Sequence, residues 1–201
     1  MSANISSASI TQLFKRLNSK LVYAQAAPVE LVVCGGAALI AARLVTRSTR
    51  DVDILALAHV EGTEVTLLPR GQLPEELKRL AGEIAIELGI DADWLNFGPS
   101  PLFDIGLPPG LTTRLKKTTY GACLKVHFIS RIDQVHFKIF AAMDPKEGTR
   151  HLSDLLDIEP SVDEVNAAVS WLLGRKVSAQ FKTTLKQVLE RIGHESIART
   201  I

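Results

Sequence analysis

One stretch of the chain, residues 32–55, joins an apolar segment, a glycine pair and two closely spaced aspartates in the sequence VVCGGAALIAARLVTRSTRDVDIL. The four residues before Gly35, LVVC, are apolar, and the segment ELVVC follows shortly after Pro28, which is typical of a short, fully buried strand. The glycine pair permits a tight turn into a helix, and the residues from Arg50 onward predict a second strand. The stretch therefore restricts the fold to one that contains a strand–turn–helix–strand unit.

Two aspartates, Asp51 and Asp53, occupy positions i and i+2 of this second predicted strand. Because side chains alternate along a strand, we expect both carboxylates on one face, with their Cα atoms about 6.5 to 7 Å apart. Two carboxylates at this spacing repel each other, and a shared divalent cation would remove the repulsion. Mg²⁺ suits such a pair because it fills its other positions with water and phosphate oxygens. We therefore predict a Mg²⁺ (or Mn²⁺) site at these two residues.

The glycine pair, Gly35 and Gly36, supplies the second half of a candidate site. A glycine turn lets backbone N–H groups approach a phosphate closely, and the N-terminus of the following helix adds favourable partial charge. Taken alone, such a pair is most often only a tight turn, and an Asp-x-Asp is more often a solvated strand end. Their combination on adjacent elements predicts a nucleoside triphosphate (NTP) that binds together with the cation.

The string GGAAL followed by RSTRDVDI resembles the polymerase-beta-type nucleotidyltransferases, and especially the bacterial minimal and abortive-infection (AbiEii-like) group. In these proteins a glycine pair opens a helix, and a carboxylate–apolar–carboxylate triplet follows on the next strand. The resemblance implies a compact mixed sheet flanked by helices and metal-dependent transfer of a nucleotidyl group. It covers residues 31–55 and assigns catalytic, metal-binding or nucleotide-binding roles to Gly35, Gly36, Arg47, Thr49, Asp51 and Asp53.

A later segment, FKIFAAMDPKEGTRHLSDLLDI, looks like a second part of the same family pattern, in which a helix carries a lysine. Lys138 occupies that position, and Arg150, Asp154 and Asp157 occupy the charged positions that follow. We expect Lys138 to project from the flank of an apolar helix face and to reach the triphosphate. A surface lysine that covers the edge of the core is an equal alternative. Arg150 and Asp154 also form an i, i+4 pair on one helix face.

Active members of this family generally carry a third carboxylate on a neighbouring strand, where it completes the metal site. Asp93, in the short extended segment DADWLNFG, is the first candidate for this catalytic role, and Asp91 is the second. Both residues could equally cap a loop. If CLKVHFIS is the matching strand instead, it offers no carboxylate, and His127 would occupy the region.

The remaining residues of the front part predict helices beside the sheet. Apolar residues at spacings of three and four indicate helices at 8–26, with Ser9 as a cap, and at 72–88. The segment TTRLKKTTYGACLKVHFI predicts two strands that meet at Gly121. Trp94 is more typical of core packing than of stacking on a base.

The back part of the chain is predicted to be helical from Ser130 onward. Ser161 and Glu164 form the pattern of a capping box at the start of one of its helices. We therefore predict an α/β (α+β) fold with a small mixed sheet in a nucleotidyltransferase-like core, 1–129. A helical portion, 130–201, is predicted to pack on that core.

Composition narrows the classes of function. Hydrophobic residues make up 46% and charged residues 22%, and the net charge is +1, which argues against nucleic-acid binding by bulk charge alone. The two cysteines have no zinc-ligand spacing. The N-terminus lacks the order of a signal peptide, and the longest apolar stretch is too short to span a bilayer. We therefore predict a cytoplasmic protein with no membrane partner.

The predicted NTP site and the family resemblance together imply a nucleotidyltransferase that uses an NTP and acts on an unidentified hydroxyl acceptor. The acceptor classes left open are a tRNA end, a protein hydroxyl and a small molecule. The family resemblance implies a toxin–antitoxin or phage-defence setting, in which a cognate protein partner is expected. Two alternatives remain: a catalytically degenerate domain of the same fold that binds nucleotide, RNA or a partner, and a metal-dependent phosphohydrolase.

Overall fold

The chain folds as a mixed α/β protein with a helical C-terminal portion, which confirms the predicted fold class. The computed structural model describes residues 4–68, 72–99, 101–146 and 148–201. Two compact units divide the chain, Met1–Ser130 and Arg131–Ile201. The first unit contains the sheet with its covering helices, and the elements of the second unit are helices.

Within the described residues of the first unit, six strands form one mixed sheet in the order β3-β2-β1-β6-β5, with β4 also paired to β2. The strands are β1 (Val29–Cys34), β2 (Val52–Glu61), β3 (Glu64–Leu68), β4 (Leu95–Asn96), β5 (Lys116–Thr119) and β6 (Leu124–Phe128). β1 is antiparallel to β2 and parallel to β6. Its central position explains why its last four residues are apolar and buried.

β3 and β4 pair with different parts of β2. β3 forms an antiparallel hairpin with the second half of β2, whereas β4 runs parallel to its first two residues. Because β1 occupies one edge of β2, both short strands lie along the opposite edge. This arrangement leaves the start of β2 between the end of β1 and the end of β4.

The helices of the first unit cover the sheet and supply much of its core. They are α1 (Ser7–Tyr23), α2 (Gly35–Ala41), α3 (Glu75–Leu88) and the short α4 (Leu102–Ile105), followed by a 3₁₀ turn, Leu111–Arg114. α1 begins with a capping box in which Ser6 is the N-cap and Ser9 is the residue that bonds back to it. The sequence suggested Ser9 as the N-cap. Ser9 instead takes part in the cap from the third position of the helix, and Ser6 is the N-cap residue.

Trp94 anchors β4 to both the helix layer and the sheet. Its side chain is fully buried, and its indole N–H donates to the Ala81 carbonyl of α3 at 3.0 Å. Its own carbonyl accepts the backbone N–H of Val52 at the start of β2. The core role predicted for Trp94 is confirmed, and the residue fixes the place where β4 begins.

The second unit consists of α5 (Arg131–Ala142), α6 (Gly148–Ile158), α7 (Val162–Leu173), α8 (Ala179–Arg191) and α9 (Glu195–Ala198). The predicted capping box of α7 is confirmed. The Ser161 N–H donates to Glu164 Oε2 at 2.9 Å, and the Glu164 N–H donates to Ser161 Oγ at 3.2 Å. None of the helices in the described ranges is long and apolar enough to cross a membrane.

Two elements differ from the sequence expectation. β2 continues to Glu61 and turns at Gly62, which has a φ of +59°, into β3. The sequence pattern predicts this strand in the segment RDVDILALA and does not predict β3, although EVTLL follows a glycine turn and its side chains alternate in burial. The short helix α9 was also not predicted.

Candidate functional site

The turn from β1 into α2 lies directly against Asp53. Cys34, the last residue of β1, is the register partner of Asp53 in β2, so Gly35 follows immediately beside that carboxylate. Gly35 has a φ of +66°, and a Cβ atom at this position would collide with Oδ2 of Asp53. Glycine is therefore required here for backbone conformation and for the close approach of the aspartate.

Gly36 makes a similar approach to two other side chains. A Cβ atom on Gly36 would stand 2.9 Å from Thr49 Oγ1 and 3.1 Å from Arg47 Nη2. Gly36 is buried, so these side chains cover it in the folded protein. The glycine pair thus allows the loop before β2 to pack onto the first turn of α2.

Thr49 connects this packing to Asp51. Its side chain is 2% exposed, and its hydroxyl lies 3.0 Å from Asp51 Oδ1, to which it donates. The Thr49 backbone forms an antiparallel bridge with Ile5, with N···O distances of 2.7 and 2.9 Å. The N-terminal segment therefore holds the loop that carries Thr49. No local pattern in the sequence indicated this role for Ile5.

Asp51 and Asp53 lie at the start of β2, where Asp51 immediately precedes the strand and Asp53 is its second residue. Both are half-buried, whereas Val52 and Ile54 between and after them are fully buried. This alternation is the one expected for two carboxylates on one strand face. Solvent, and hence a ligand, reaches both residues.

The donor set at this point fits a cation that also binds a substrate. Within the described ranges, no three His, Cys, Asp or Glu side chains gather as a metal site. Two carboxylates are nevertheless what Mg²⁺ commonly takes from a protein when phosphate oxygens and waters complete its shell. The residues therefore fit Mg²⁺ held jointly with a triphosphate, and they do not form a cage of protein ligands.

Asn96 is the residue that β4 places next to Asp53, and it is not among the predicted site residues. The two residues are register partners in the parallel β2–β4 pair. Asn96 Oδ1 accepts the Gly98 N–H at 2.7 Å, and its Nδ2 donates to the Asp93 carbonyl at 3.2 Å. The signal was available, because an asparagine that precedes a glycine by two residues is typical of a side-chain-capped turn.

Asp93 lies in the exposed turn before β4, three residues ahead of Asn96. Its backbone N–H donates to Asp91 Oδ1 at 2.9 Å, so Asp91 acts as the loop cap that was one of its two predicted roles. The role of Asp93 as a third carboxylate stays a prediction. The amide of Asn96, and not a carboxylate, is in register with Asp53.

His127 lies on β6, which pairs with β1 and β5. The side chain is 3% exposed, and its Nε2 is 2.6 Å from Oε2 of Glu30, whose other oxygen is 2.7 Å from Lys125 Nζ. Partial burial raises the pKa of Glu30, but hydrogen bonds from Lys125 and His127 outweigh this effect and hold that pKa below its usual value. His127 therefore has a structural partner away from β2.

Lys138 belongs to α5 in the second unit, and its side chain is buried. It is 5% exposed, and its Nζ lies 2.7 Å from Oδ2 of Asp154, a fully buried residue of α6. Nζ also lies 3.3 Å from Nδ1 of His151. The alternative of a surface lysine at the edge of the core is wrong, because the ammonium is buried against the counter-charge of Asp154. A contact between Lys138 and a nucleotide stays a prediction.

Six of the predicted residues are thus linked by direct contacts at one end of the sheet: Gly35, Gly36, Arg47, Thr49, Asp51 and Asp53. Asn96 and Gly98 approach the same place from β4. Comparisons of the chain with models of protein families, with curated proteins and with solved structures found no match. A function therefore has to be inferred from this arrangement of residues.

Proposed function

We propose that the protein transfers a nucleotidyl group from an NTP, bound with Mg²⁺ or Mn²⁺, to a hydroxyl acceptor. One observation carries the proposal: the glycine pair, the loop before β2 and the aspartate pair pack together at one end of the sheet. The sequence pattern and the family resemblance assign all three elements to an NTP site, and direct packing between them supports that assignment.

The residues of the chain have separate tasks in the proposed reaction. Asp51 and Asp53 hold the cation, and Thr49 orients the first carboxylate through its hydroxyl. When bound, the cation would neutralise phosphate charge and align the triphosphate for in-line displacement. The glycine turn keeps side chains away from the phosphates, and the Arg47 guanidinium adds positive charge beside Gly36.

In the reaction, the acceptor hydroxyl gives up its proton to water and its oxygen attacks the α-phosphorus. The bond between the α-phosphorus and the oxygen that bridges to the β-phosphate breaks, and pyrophosphate leaves. Most of the acceleration would come from positioning and from charge stabilisation, because the protein itself forms no covalent bond. The acceptor classes are a tRNA end, a protein hydroxyl and a small molecule. The family resemblance favours a toxin–antitoxin or phage-defence setting with a cognate protein partner.

The direct test is product analysis with α-labelled NTPs. The chain is incubated with each NTP and Mg²⁺, alone and with total tRNA, a protein extract or a metabolite extract. We expect pyrophosphate release together with transfer of the label to one class of acceptor. The Asp53→Asn variant should lose both products, whereas Asp104→Asn, which changes an exposed aspartate of α4, should keep them. Release of inorganic phosphate without pyrophosphate would identify a phosphohydrolase instead.

A second candidate function is a domain of the same fold that binds nucleotide, RNA or a partner without catalysis. The observation that favours it is the amide of Asn96 in register with Asp53, where a carboxylate would complete a catalytic metal site. Mg²⁺-dependent NTP binding, with no labelled product from any of the three acceptor mixtures, would support this function.

A further inference from the structure

Asp53 lies between two glycines that belong to different turns. Gly35 faces its Oδ2 from the β1–α2 turn, whereas a Cβ atom on Gly98 would stand 3.8 Å from its Oδ1. Gly98 follows β4 by two residues and is exposed. The second carboxylate oxygen of Asp53 is thus bordered by a turn that the nucleotidyltransferase pattern does not include.

Gly98 is needed because a side chain would fill the space beside Asn96 and Asp53, and not because of its backbone conformation. Gly98 lies outside the positive-φ region, so its backbone is open to any residue. A Cβ atom there would approach Asn96 Oδ1 to 2.9 Å and would occupy the gap between this amide and Asp53. Glycine therefore keeps this gap open.

Asn96 determines where this turn lies. It ends β4, pairs in register with Asp53, and uses both ends of its amide within the same turn. The turn needs a side chain that accepts the Gly98 N–H and donates to the Asp93 carbonyl. An asparagine side chain does both. An aspartate keeps the acceptor and loses the donor, and an alanine loses both.

We propose that Asn96 is a positioning residue of the candidate site, which holds the 96–98 turn open beside Asp53 so that the cation and its triphosphate reach Oδ1. This proposal rests on the proposed NTP site. Asn96 acts through the position of Gly98 and is not itself a ligand of the cation. In this proposal the site requires an asparagine at position 96, and the asparagine is not the inactive replacement of a third carboxylate.

The test compares Asn96→Ala and Asn96→Asp with the wild-type chain and with Asn166→Ala, which truncates an exposed asparagine of α7. Two properties are measured: hydrogen exchange of the Gly98 amide, and the affinities for Mn²⁺ alone and for each NTP with Mg²⁺. Losing one hydrogen bond weakens an equilibrium by roughly threefold to tenfold. We expect Asn96→Ala to accelerate Gly98 exchange and to weaken NTP binding by about that factor, with Asn96→Asp between it and the wild type.

The outcomes separate this inference from the proposed function. Unchanged NTP affinity in Asn96→Ala, with fast exchange at Gly98, would overturn the positioning role while leaving the NTP site intact. Wild-type exchange at Gly98 in Asn96→Ala would also overturn it, because the turn would then keep its position without the amide. If the wild-type chain binds no NTP, both proposals fail, and the exchange of Gly98 then reports on the turn alone.

Discussion

Two clusters of charged side chains, one in each unit, differ in charge and in burial. In the first unit, Asp51 and Asp53 carry like charges on one strand face and remain half-buried. In the second unit, Lys138 and Asp154 carry opposite charges 2.7 Å apart and are almost completely buried. Burial of an ion pair is tolerated when each charge compensates the other, whereas two carboxylates do not compensate each other. The first arrangement is consistent with the proposed cation site, and the second indicates a structural role.

The largest expected effect tests the structural half of this comparison. Replacing Asp154 by Ala leaves the buried Lys138 ammonium without its carboxylate partner, which should lower the free energy of unfolding by about 3–5 kcal/mol. Urea denaturation of the wild type and the variant measures this loss. The double variant Lys138→Met/Asp154→Leu should recover most of the stability. If Asp154→Ala lowers the free energy of unfolding by less than about 1 kcal/mol, the Lys138–Asp154 pair contributes no more than an ion pair on the surface.

The second-largest expected loss of stability comes from disturbing the close packing around Asp53. Gly35→Ala would force an alanine into positive φ and would bring its Cβ against the Asp53 carboxylate. We expect the free energy of unfolding to fall by roughly 2–4 kcal/mol. Gly82→Ala is the matched control because a Cβ at this helical position meets no atom within 4 Å, and it should stabilise α3 by about 0.5–1 kcal/mol. Equal melting temperatures for both variants would contradict the packing of Asp53 on the turn.

A smaller effect should come from a partly exposed ion pair of the second unit. Burial raises the pKa of Glu164, but hydrogen bonds from Arg131 and Ser161 hold that pKa below its usual value. The carboxylate therefore contributes stability above its usual pKa, and this contribution is lost as the pH falls through the lowered value. Since Arg131 is 38% exposed, we expect Glu164→Gln to cost only about 1 kcal/mol at pH 7 and less at pH 3.

The stability difference between the wild type and Glu164→Gln should depend on pH, and this dependence separates the partly exposed Arg131–Glu164 pair from the buried Lys138–Asp154 pair. Denaturation curves of the wild type and Glu164→Gln at pH 7 and pH 3 should converge at the lower pH. A difference in unfolding free energy that stays constant between the two pH values would mean that the charge of Glu164 does not stabilise the fold.

Elements that depend on local pattern were predictable from the sequence. The β1–α2–β2 unit follows from an apolar run, a glycine pair and a further apolar run, and the α7 cap follows from Ser161 and Glu164. The six clustered site residues lie within 19 positions of one another, from Gly35 to Asp53, so their proximity requires one turn and one strand pairing.

What the sequence did not predict depends on pairing between distant segments. Ile5 reaches Thr49 by a single bridge, and Asn96 reaches Asp53 only because Trp94 fixes the start of β4. The burial of Lys138 similarly required a partner on another helix, Asp154. The asparagine two residues before Gly98 indicates a capped turn locally, but periodicity describes one element at a time and does not show that this turn, or either of the other two segments, meets its distant partner.

In the proposed function, Asp51 and Asp53 bind an NTP through a divalent cation. The most direct measurement is thermal melting of the wild type and of Asp51→Asn/Asp53→Asn with each NTP, with and without Mg²⁺. We predict a rise in Tm that needs both NTP and Mg²⁺, equivalent to about 2.7 kcal/mol at a hundredfold excess of ligand over Kd, and absent in the double variant. An equal rise in the wild type and the double variant, or no rise with any NTP, would contradict the account.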